Sequence, residues 1–239
     1  MRDLNSDAAR PLAETEGAQN PTFSPDGRWL AYWIPGTIRK VPVLGGPSAK
    51  MCDFLGGPAS NGITWGESLV VFAAARRLVA FSPSDATCVV TNVTDPAPEG
   101  VRHASPQLLP GDSAVLYTEH VKSWNSGDER VMVKRLPDGA PQELLTEAAD
   151  ARYLPTGHIA FLRQGTMFAV GFDADTLTVR GSPIALLKGV TQTVAPRGLA
   201  TCRWPVSLPS RLTVRWRTSP ARCSGFRRWN ASRWIGPGG

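Results

Sequence analysis

Apolar and polar residues alternate along short stretches of the chain, and a turn containing glycine interrupts each stretch. The clearest case runs from Phe23 to Trp33, where Ser-Pro-Asp-Gly joins two extended segments. Pro25 fixes φ at a value that suits a turn, and Gly27 accepts a positive φ at little cost. Residues 29–33 are almost entirely apolar, so we expect both faces of the second strand to be buried. The pattern predicts a β-hairpin.

This hairpin recurs along the first four-fifths of the chain. Its turn glycines are 39, 45 and 46 residues apart, at Gly27, Gly66, Gly111 and Gly157. A second hairpin with a polar turn accompanies each copy, so one repeat holds four short strands in about 40–45 residues, the period of a propeller blade. We place four blades at residues 20–54, 61–93, 103–147 and 150–190. Residues 1–16 match only the last two strands of a blade.

The predicted fold is therefore all-β, a partial β-propeller over residues 1–194. It has about four four-stranded antiparallel blades and an N-terminal half blade. A single blade cannot bury both of its faces, so neighbouring blades must stack and share apolar surface. This number of blades is at the low end for a closed ring, so we expect an open arc with sheet faces and edges exposed to aggregation.

The net charge of +6 is misleading, because residues 195–239 contain nine arginines and no lysine or acidic residue. Residues 1–194 therefore carry 17 basic and 20 acidic residues, a net charge of −3. Four tryptophans accompany the arginines, without strand or helix periodicity. A nucleic-acid-binding arm and a membrane-surface segment are two interpretations. We favour a third, a tail that is frameshifted or disordered, and we expect no nucleic-acid partner.

No catalytic or metal-binding motif is visible in the sequence. His103, His120 and His158 lack partners at metal-ligand spacing, so we expect structural or surface roles for them. The chain has no Gly-x-Ser-x-Gly motif and no phosphate-binding glycine loop. We therefore expect no catalytic residue, no cofactor and no metal.

The cysteines show neither a Cys-x-x-Cys pair nor the spacing of a disulfide framework, so we expect free thiols at Cys52, Cys88, Cys202 and Cys223. Turn aspartates commonly accept hydrogen bonds from nearby backbone amides, and we assign this local role to Asp26, Asp112 and Asp138. Trp124 lies in a long polar loop and is a candidate for contact with a ligand at the rim of the propeller.

Six segments keep the residue order and spacing of a known family: Phe23–Gly27, Ile38–Pro47, Cys52-Asp53, Gln107–Asp112, Gly157–Asp173 and Gly181–Ile184. Residues 1–194 thereby resemble TolB-like β-propellers, which have WD40-like repeats. More narrowly, they are similar to the extracytoplasmic propeller of acidobacterial-type serine/threonine protein kinases. No kinase motif is present, since the chain lacks a Gly-rich loop, His-Arg-Asp and Asp-Phe-Gly.

The resemblance implies a non-catalytic sensor or protein-interaction module, a fragment of a membrane-bound kinase. A protein or small molecule would bind at its propeller face, and the parent protein would place it in the periplasm or otherwise outside the membrane. The chain itself shows no signal peptide and no transmembrane segment. Two alternatives are a gating propeller fragment of a prolyl-oligopeptidase-like serine peptidase and a non-functional truncated gene product.

Overall fold

A computed structural model of the chain describes residues 11–54, 61–121 and 127–190. These residues form sixteen β-strands and one short 3₁₀ turn at Pro110–Asp112. The strands make four separate antiparallel sheets of four strands, and within each sheet the strands follow chain order. This is the architecture of a partial β-propeller.

The first two sheets come from the N-terminal half of the chain. Sheet one contains β1 (Gln19–Phe23), β2 (Trp29–Ile34), β3 (Thr37–Pro42) and β4 (Ala49–Asp53). Sheet two contains β5 (Ile63–Trp65), β6 (Val70–Ala74), β7 (Arg77–Phe81) and β8 (Thr91–Asn92). The fourth strand of sheet two is only two residues long, the shortest of the sixteen.

The other two sheets have longer strands. Sheet three contains β9 (Val101–Leu108), β10 (Ala114–Val121), β11 (Arg130–Arg135) and β12 (Pro141–Thr146). Sheet four contains β13 (Ala149–Leu154), β14 (His158–Arg163), β15 (Thr166–Asp173) and β16 (Thr178–Lys188).

Contacts between sheets follow the order of the chain. Strand β5 lies against β1 and β2, β9 against β5, β6 and β7, and β13 against β9, β10 and β11. The first strands of the four sheets therefore touch one another in sequence around a common axis. Within the described residues, sheets one and four share no comparable contact, so the sheets form an open arc.

Apolar clusters fill the spaces between consecutive sheets. Phe72 and Phe81 of sheet two pack with Trp33 and Ile38 of sheet one. Separate clusters join sheet two to three and sheet three to four. Because each sheet between two neighbours is covered on both sides, its middle strands are apolar on both faces. Strand β2 is buried in this way too, which confirms the prediction for residues 29–33.

The outward face of sheet one is covered by the residues that precede it. Leu12 packs there against Leu30, Tyr32 and Val41. Of the half blade expected over residues 1–16, only residues 11–16 fall in the described ranges, and they form turns. At the other end of the arc, the last strand exposes Ile184, Leu186 and Leu187 to solvent. The tail, residues 195–239, lies outside the described residues.

Two cysteines are joined, which makes the prediction of free thiols wrong for them. Cys52 on β4 forms a disulfide with Cys88, 36 residues later, with the two Cα atoms 5.3 Å apart. Spacing in the sequence did not reveal the pair, because the outer segments of two stacked sheets bring them together. Cys202 and Cys223 lie outside the described residues.

Candidate binding site at the hairpin turns

The first hairpin turns of all four sheets converge at one end of the axis. They enclose a cavity of about 460 Å³. Its walls come from each sheet in turn: Pro25 from sheet one, Trp65 and Glu67 from sheet two, Leu109, Pro110 and Asp112 from sheet three, and Tyr153 and Pro155 from sheet four. Every sheet of the arc therefore contributes to this concave site.

Two of these turns interlock through a carboxylate. Asp112, in the turn of sheet three, accepts hydrogen bonds from the backbone amides of Glu67, Ser68 and Leu69 at 3.2, 2.7 and 3.2 Å, all in the turn of sheet two. The Ser68 hydroxyl donates to the same carboxylate at 2.9 Å. The local role predicted for Asp112 is therefore wrong, because its hydrogen bonds connect neighbouring sheets.

Gly66 is required at this junction for its lack of a side chain. A Cβ atom there would collide with the Asp112 carboxylate and would lie 2.7 Å from Leu108 Cδ1. The turn glycines Gly27, Gly111 and Gly157 differ, since they have positive φ; a Cβ atom would meet open space at Gly27 and Gly111 and only the Phe172 carbonyl oxygen, at 3.8 Å, at Gly157. Of the four glycines that define the repeat, one is needed because a side chain would not fit and three because their backbone has positive φ.

Asp26 remains within its own turn. The Ser24 hydroxyl donates to its carboxylate at 2.5 Å and the Arg28 amide at 3.0 Å. The hydrogen bond from Ser24, followed by that from the Arg28 amide, holds the pKa of Asp26 below its usual value. Trp124, which the sequence offered as a contact at the rim, lies outside the described residues.

Polar side chains link the first strands below the cavity. The amide side chain of Gln107 on β9 donates to the Tyr153 carbonyl at 3.2 Å and accepts from the Tyr153 amide at 2.7 Å. The Leu108 amide donates to the Thr64 hydroxyl on β5 at 3.2 Å. These bonds fix the positions of neighbouring first strands, and Tyr153 is held where it lines the cavity.

Sequence reasoning missed a second repeat in these strands. One residue with positive φ lies in the first strand of each sheet or directly before it. These residues are spaced 42, 43 and 45 positions apart, at Asn20, Gly62, Ser105 and Asp150. In three of the strands this residue coincides with a shift of the hydrogen-bond register, a β-bulge. Proline follows two of the four positions, at Pro21 and Pro106. These prolines are the feature of the sequence that could have indicated the bulges.

These bulges also contact one another. The Ser105 amide donates to the Asn61 carbonyl at 2.8 Å, and the Ser105 hydroxyl donates to Asp150 at 2.6 Å. Arg152 donates to the Ser105 carbonyl at 3.0 Å. Burial lowers the pKa of the Arg152 guanidinium, and the nearby Asp150 carboxylate partly offsets this effect. The centre of the arc is thus polar and internally bonded.

The cavity itself combines apolar rings with two acidic side chains, Glu67 and the amide-bound Asp112. Pro25, Pro110 and Pro155 occupy matching turns of three sheets, and Trp65 and Tyr153 add aromatic surface. The Glu67 carboxylate is exposed at the cavity wall and makes no side-chain hydrogen bond or ion pair within the described residues. Outside the wall, Lys40 Nζ lies 4.9 Å from the centre of the Trp29 ring and 5.8 Å from that of Trp65.

One group of side chains has the order of a hydrolase triad. The Thr94 hydroxyl is 3.1 Å from His103 Nδ1, and His103 Nε2 is 3.2 Å from a Glu119 carboxylate oxygen. However, Thr94 and His103 are only 4% and 2% exposed, and the Thr94 oxygen also accepts the Leu78 amide at 2.8 Å. The group connects sheets two and three, and its hydroxyl and imidazole are buried, so we assign it a structural role.

The other two histidines occupy different environments. His120 is buried, with Nδ1 3.8 Å from the buried Glu129 carboxylate. His158 is exposed, and its Nδ1 lies 2.9 Å from the Thr156 carbonyl. In the part of the chain that the structure describes, no three histidine, cysteine or acidic side chains are grouped as metal ligands would be. No helix in those residues is long and apolar enough to cross a membrane.

No protein-family model matches the sequence, and no curated protein matches it. Solved structures do share the fold. The chain is similar to luciferin-regenerating enzyme, with a TM-score of 0.56 and 11% identity over 72% of this chain and 60% of that one. It is also similar to a protein described as TolB from Agrobacterium tumefaciens, with a TM-score of 0.54 and 15% identity over 71% and 65% of the two chains.

A third structure is the calcium-binding protein regucalcin from Agrobacterium tumefaciens, with a TM-score of 0.54 and 14% identity over 74% of this chain and 60% of that one. The chain thus spans about three-fifths of the length of these propellers. At these identities the similarity establishes the β-propeller fold. The neighbours include enzymes as well as binding proteins, so the fold leaves the activity open.

Proposed function

We propose that this propeller arc is a non-catalytic binding module whose ligand occupies the cavity between the hairpin turns. The observation that supports this most directly is the convergence of the turns of all four sheets on that one cavity. Concave sites with apolar walls and few polar groups are the usual ligand sites of proteins. Of the two acidic side chains that line the cavity, Asp112 is held by three backbone amides, which leaves Glu67 as the charge available to a ligand.

The proposed ligand is a peptide that combines apolar residues with a cationic side chain. Rigid prolines and aromatic rings offer a surface for proline or other apolar groups at low entropic cost. Glu67 supplies the negative charge for an arginine or lysine, and the adjacent Trp65 ring adds aromatic surface for the apolar part of that side chain. Residues 1–194 have a net charge of −3, which also favours a basic partner.

Two synthetic peptides test this site, acetyl-Pro-Arg-Pro-amide and acetyl-Pro-Glu-Pro-amide. The chain has eight tryptophans, so total fluorescence would not report one ring. The indole N–H signals in a ¹⁵N NMR spectrum separate them, and a Trp65→Phe variant identifies the signal of Trp65. We expect the arginine peptide to shift that signal saturably and the glutamate peptide to leave it unchanged.

A Glu67→Gln variant serves as the test of the charge, with Glu143→Gln, an exposed residue of β12, as its control. Binding of the arginine peptide should weaken in the first variant alone. Equal shifts with both peptides, or shifts centred on tryptophans outside the cavity, would contradict the proposed site.

We further propose that the parent protein is a membrane-bound serine/threonine kinase that carries this module outside the membrane as a sensor. The support is the order and spacing of the Phe23–Gly27, Ile38–Pro47 and Gly157–Asp173 segments. The test is the DNA that adjoins the coding sequence. A kinase domain followed by one membrane helix upstream supports this parent, whereas a Gly-x-Ser-x-Gly hydrolase downstream would replace it with a peptidase.

A further inference from the structure

The disulfide connects the outermost parts of two different sheets. Cys52 lies on β4, the fourth strand of sheet one, and is 1% exposed. Cys88 lies three residues before β8, the fourth strand of sheet two, and is half-buried. Both sulfur-bearing residues belong to the apolar cluster between these sheets, either within it or packed against it. The bridge therefore crosses the interface between sheets one and two at its outer edge.

The segment that contains Cys88 has few other attachments. Residues 82–90, here called the outer segment of sheet two, form no strand, and β8 pairs with β7 at only two positions. Asp85 organises the segment internally by accepting the Thr87 amide at 2.8 Å and the Thr87 hydroxyl at 2.6 Å. The corresponding strand of sheet three, β12, pairs with its neighbour at five positions. Sheet two thus lacks the hydrogen-bond ladder that holds the outer edge of the next sheet.

We propose that the Cys52–Cys88 disulfide is a redox-dependent clamp that takes the place of this ladder. It holds the outer segment of sheet two against sheet one only after oxidation. Each cysteine loses one proton and one electron as the S–S bond forms, and a protein disulfide of the compartment accepts both electrons to become a dithiol. Because glutathione and thioredoxin keep cytosolic thiols reduced, the native chain acquires the clamp in an oxidising compartment. This inference does not depend on the proposed ligand site.

Peptide mapping tests whether the clamp forms. The full chain is expressed with export to the bacterial periplasm, alkylated without reduction and digested with trypsin. Cleavage after Lys50, Arg76, Arg77 and Arg102 separates the two cysteines into peptides 51–76 and 78–102. We expect mass spectrometry to find these peptides joined, and a Cys202→Ser/Cys223→Ser variant to retain the link. Alkylated Cys52 and Cys88, or links to Cys202 or Cys223, would overturn the proposal.

Hydrogen exchange tests what the clamp does. Reduction of the wild-type chain should speed exchange in residues 82–94 by about tenfold or more, because the segment then opens locally. Strand β12, the matching strand of sheet three, should be unchanged. A Cys52→Ser/Cys88→Ser variant should show the same fast exchange as the reduced wild-type chain. If this variant fails to fold, the comparison of oxidised and reduced wild type is the test. Unchanged exchange in residues 82–94, or an equal increase in β12, would contradict the clamp.

Discussion

Gly66 and Asp112 lie against each other where the turns of sheets two and three touch, and the contact leaves no room for a Cβ atom on residue 66. We expect Gly66→Ala to destabilise the protein by about 1–3 kcal/mol, because the new methyl group displaces the Asp112 carboxylate. Asp112→Ala should cost about 1 kcal/mol through the loss of partially exposed hydrogen bonds. Urea unfolding of both single variants and the double variant measures these effects.

The double variant shows whether Gly66→Ala destabilises the protein through contact of its methyl group with the Asp112 carboxylate. If the methyl group acts by displacing the carboxylate, Gly66→Ala should cost less when Asp112 is already alanine. Asp26→Ala is the control, since that carboxylate bonds only within its own turn. Purely additive effects of the two substitutions would show that they do not act through each other.

A second single residue, Tyr117, affects the stability of the protein at alkaline pH. Burial raises the pKa of the Tyr117 phenol above its usual value of 10.0, and the Glu119 carboxylate adds to the effect. Because the folded-state pKa is raised, its contribution to stability is fully present below about pH 10 and is lost as the pH rises further.

We therefore expect the free energy of unfolding to fall above about pH 10, and to fall less steeply in a Tyr117→Phe variant. Absorbance of phenolate at 295 nm gives an independent readout. Of the three tyrosines, Tyr117 should ionise only with unfolding, so its signal should coincide with the loss of β-sheet circular dichroism. Ionisation of all three before unfolding would show that Tyr117 is not shielded.

At the scale of strands and turns, two cross-sheet links carry specific predictions. The disulfide closes a loop of 36 residues, for which the lost entropy of the unfolded chain corresponds to about 3–4 kcal/mol. A Cys52→Ser/Cys88→Ser variant should lose approximately this much stability in urea, whereas Cys202→Ser/Cys223→Ser should not. A wild-type chain with equal stability before and after reduction would argue against a stabilising bridge.

Gln107 is the second link, between β9 and β13. Gln107→Ala removes both of its hydrogen bonds to Tyr153 and should cost about 1–2 kcal/mol. It should also broaden the NMR signals of the cavity wall, because Tyr153 loses its fixed position. Gln142→Ala, an exposed glutamine of β12, is the matched control and should be neutral in the same unfolding measurement.

The repeat explains which of these elements the sequence could predict. Alternation of apolar residues and the Ser-Pro-Asp-Gly turn are local signals, so the hairpins and the four-stranded repeat followed from them. The disulfide and the Asp112 bonds are not local, since each joins residues more than 30 positions apart. The sequence of one hairpin does not indicate which residue of the next sheet will contact it.

The site was less predictable than the fold for the same reason. The cavity has no motif, because its wall residues come from four different repeats and each is ordinary within its own repeat. Gly66 was recognised as a turn residue, but its requirement for space arises only from the approach of Asp112. The spacing of Asn20, Gly62, Ser105 and Asp150 could have been found by aligning the first strands rather than the turns.

At the scale of the whole molecule, the four described sheets form an arc whose last strand is exposed. Strand β16 is eleven residues long and exposes Ile184, Leu186 and Leu187, at 68%, 55% and 55%. Long apolar edge strands promote association. We expect sedimentation velocity to show concentration-dependent self-association of the purified chain, and a Ile184→Lys/Leu187→Lys variant to remain monomeric. Thr178→Lys/Ser182→Lys, at two exposed polar positions of the same strand, is a charge-matched control that should still associate.

The central claim is that the four described sheets stack in chain order around an axis, with their main contacts between consecutive sheets. Methyl NOE spectroscopy of the ¹³C-methyl-labelled full chain tests it most directly. We expect cross-peaks within the cluster of Val71, Leu78 and Val115, which joins sheets two and three, and within that of Leu116, Val131 and Ile159, which joins sheets three and four. Cross-peaks that instead place Leu30 or Val41 of sheet one against Val115 or Leu116 of sheet three would describe a sandwich and contradict the propeller.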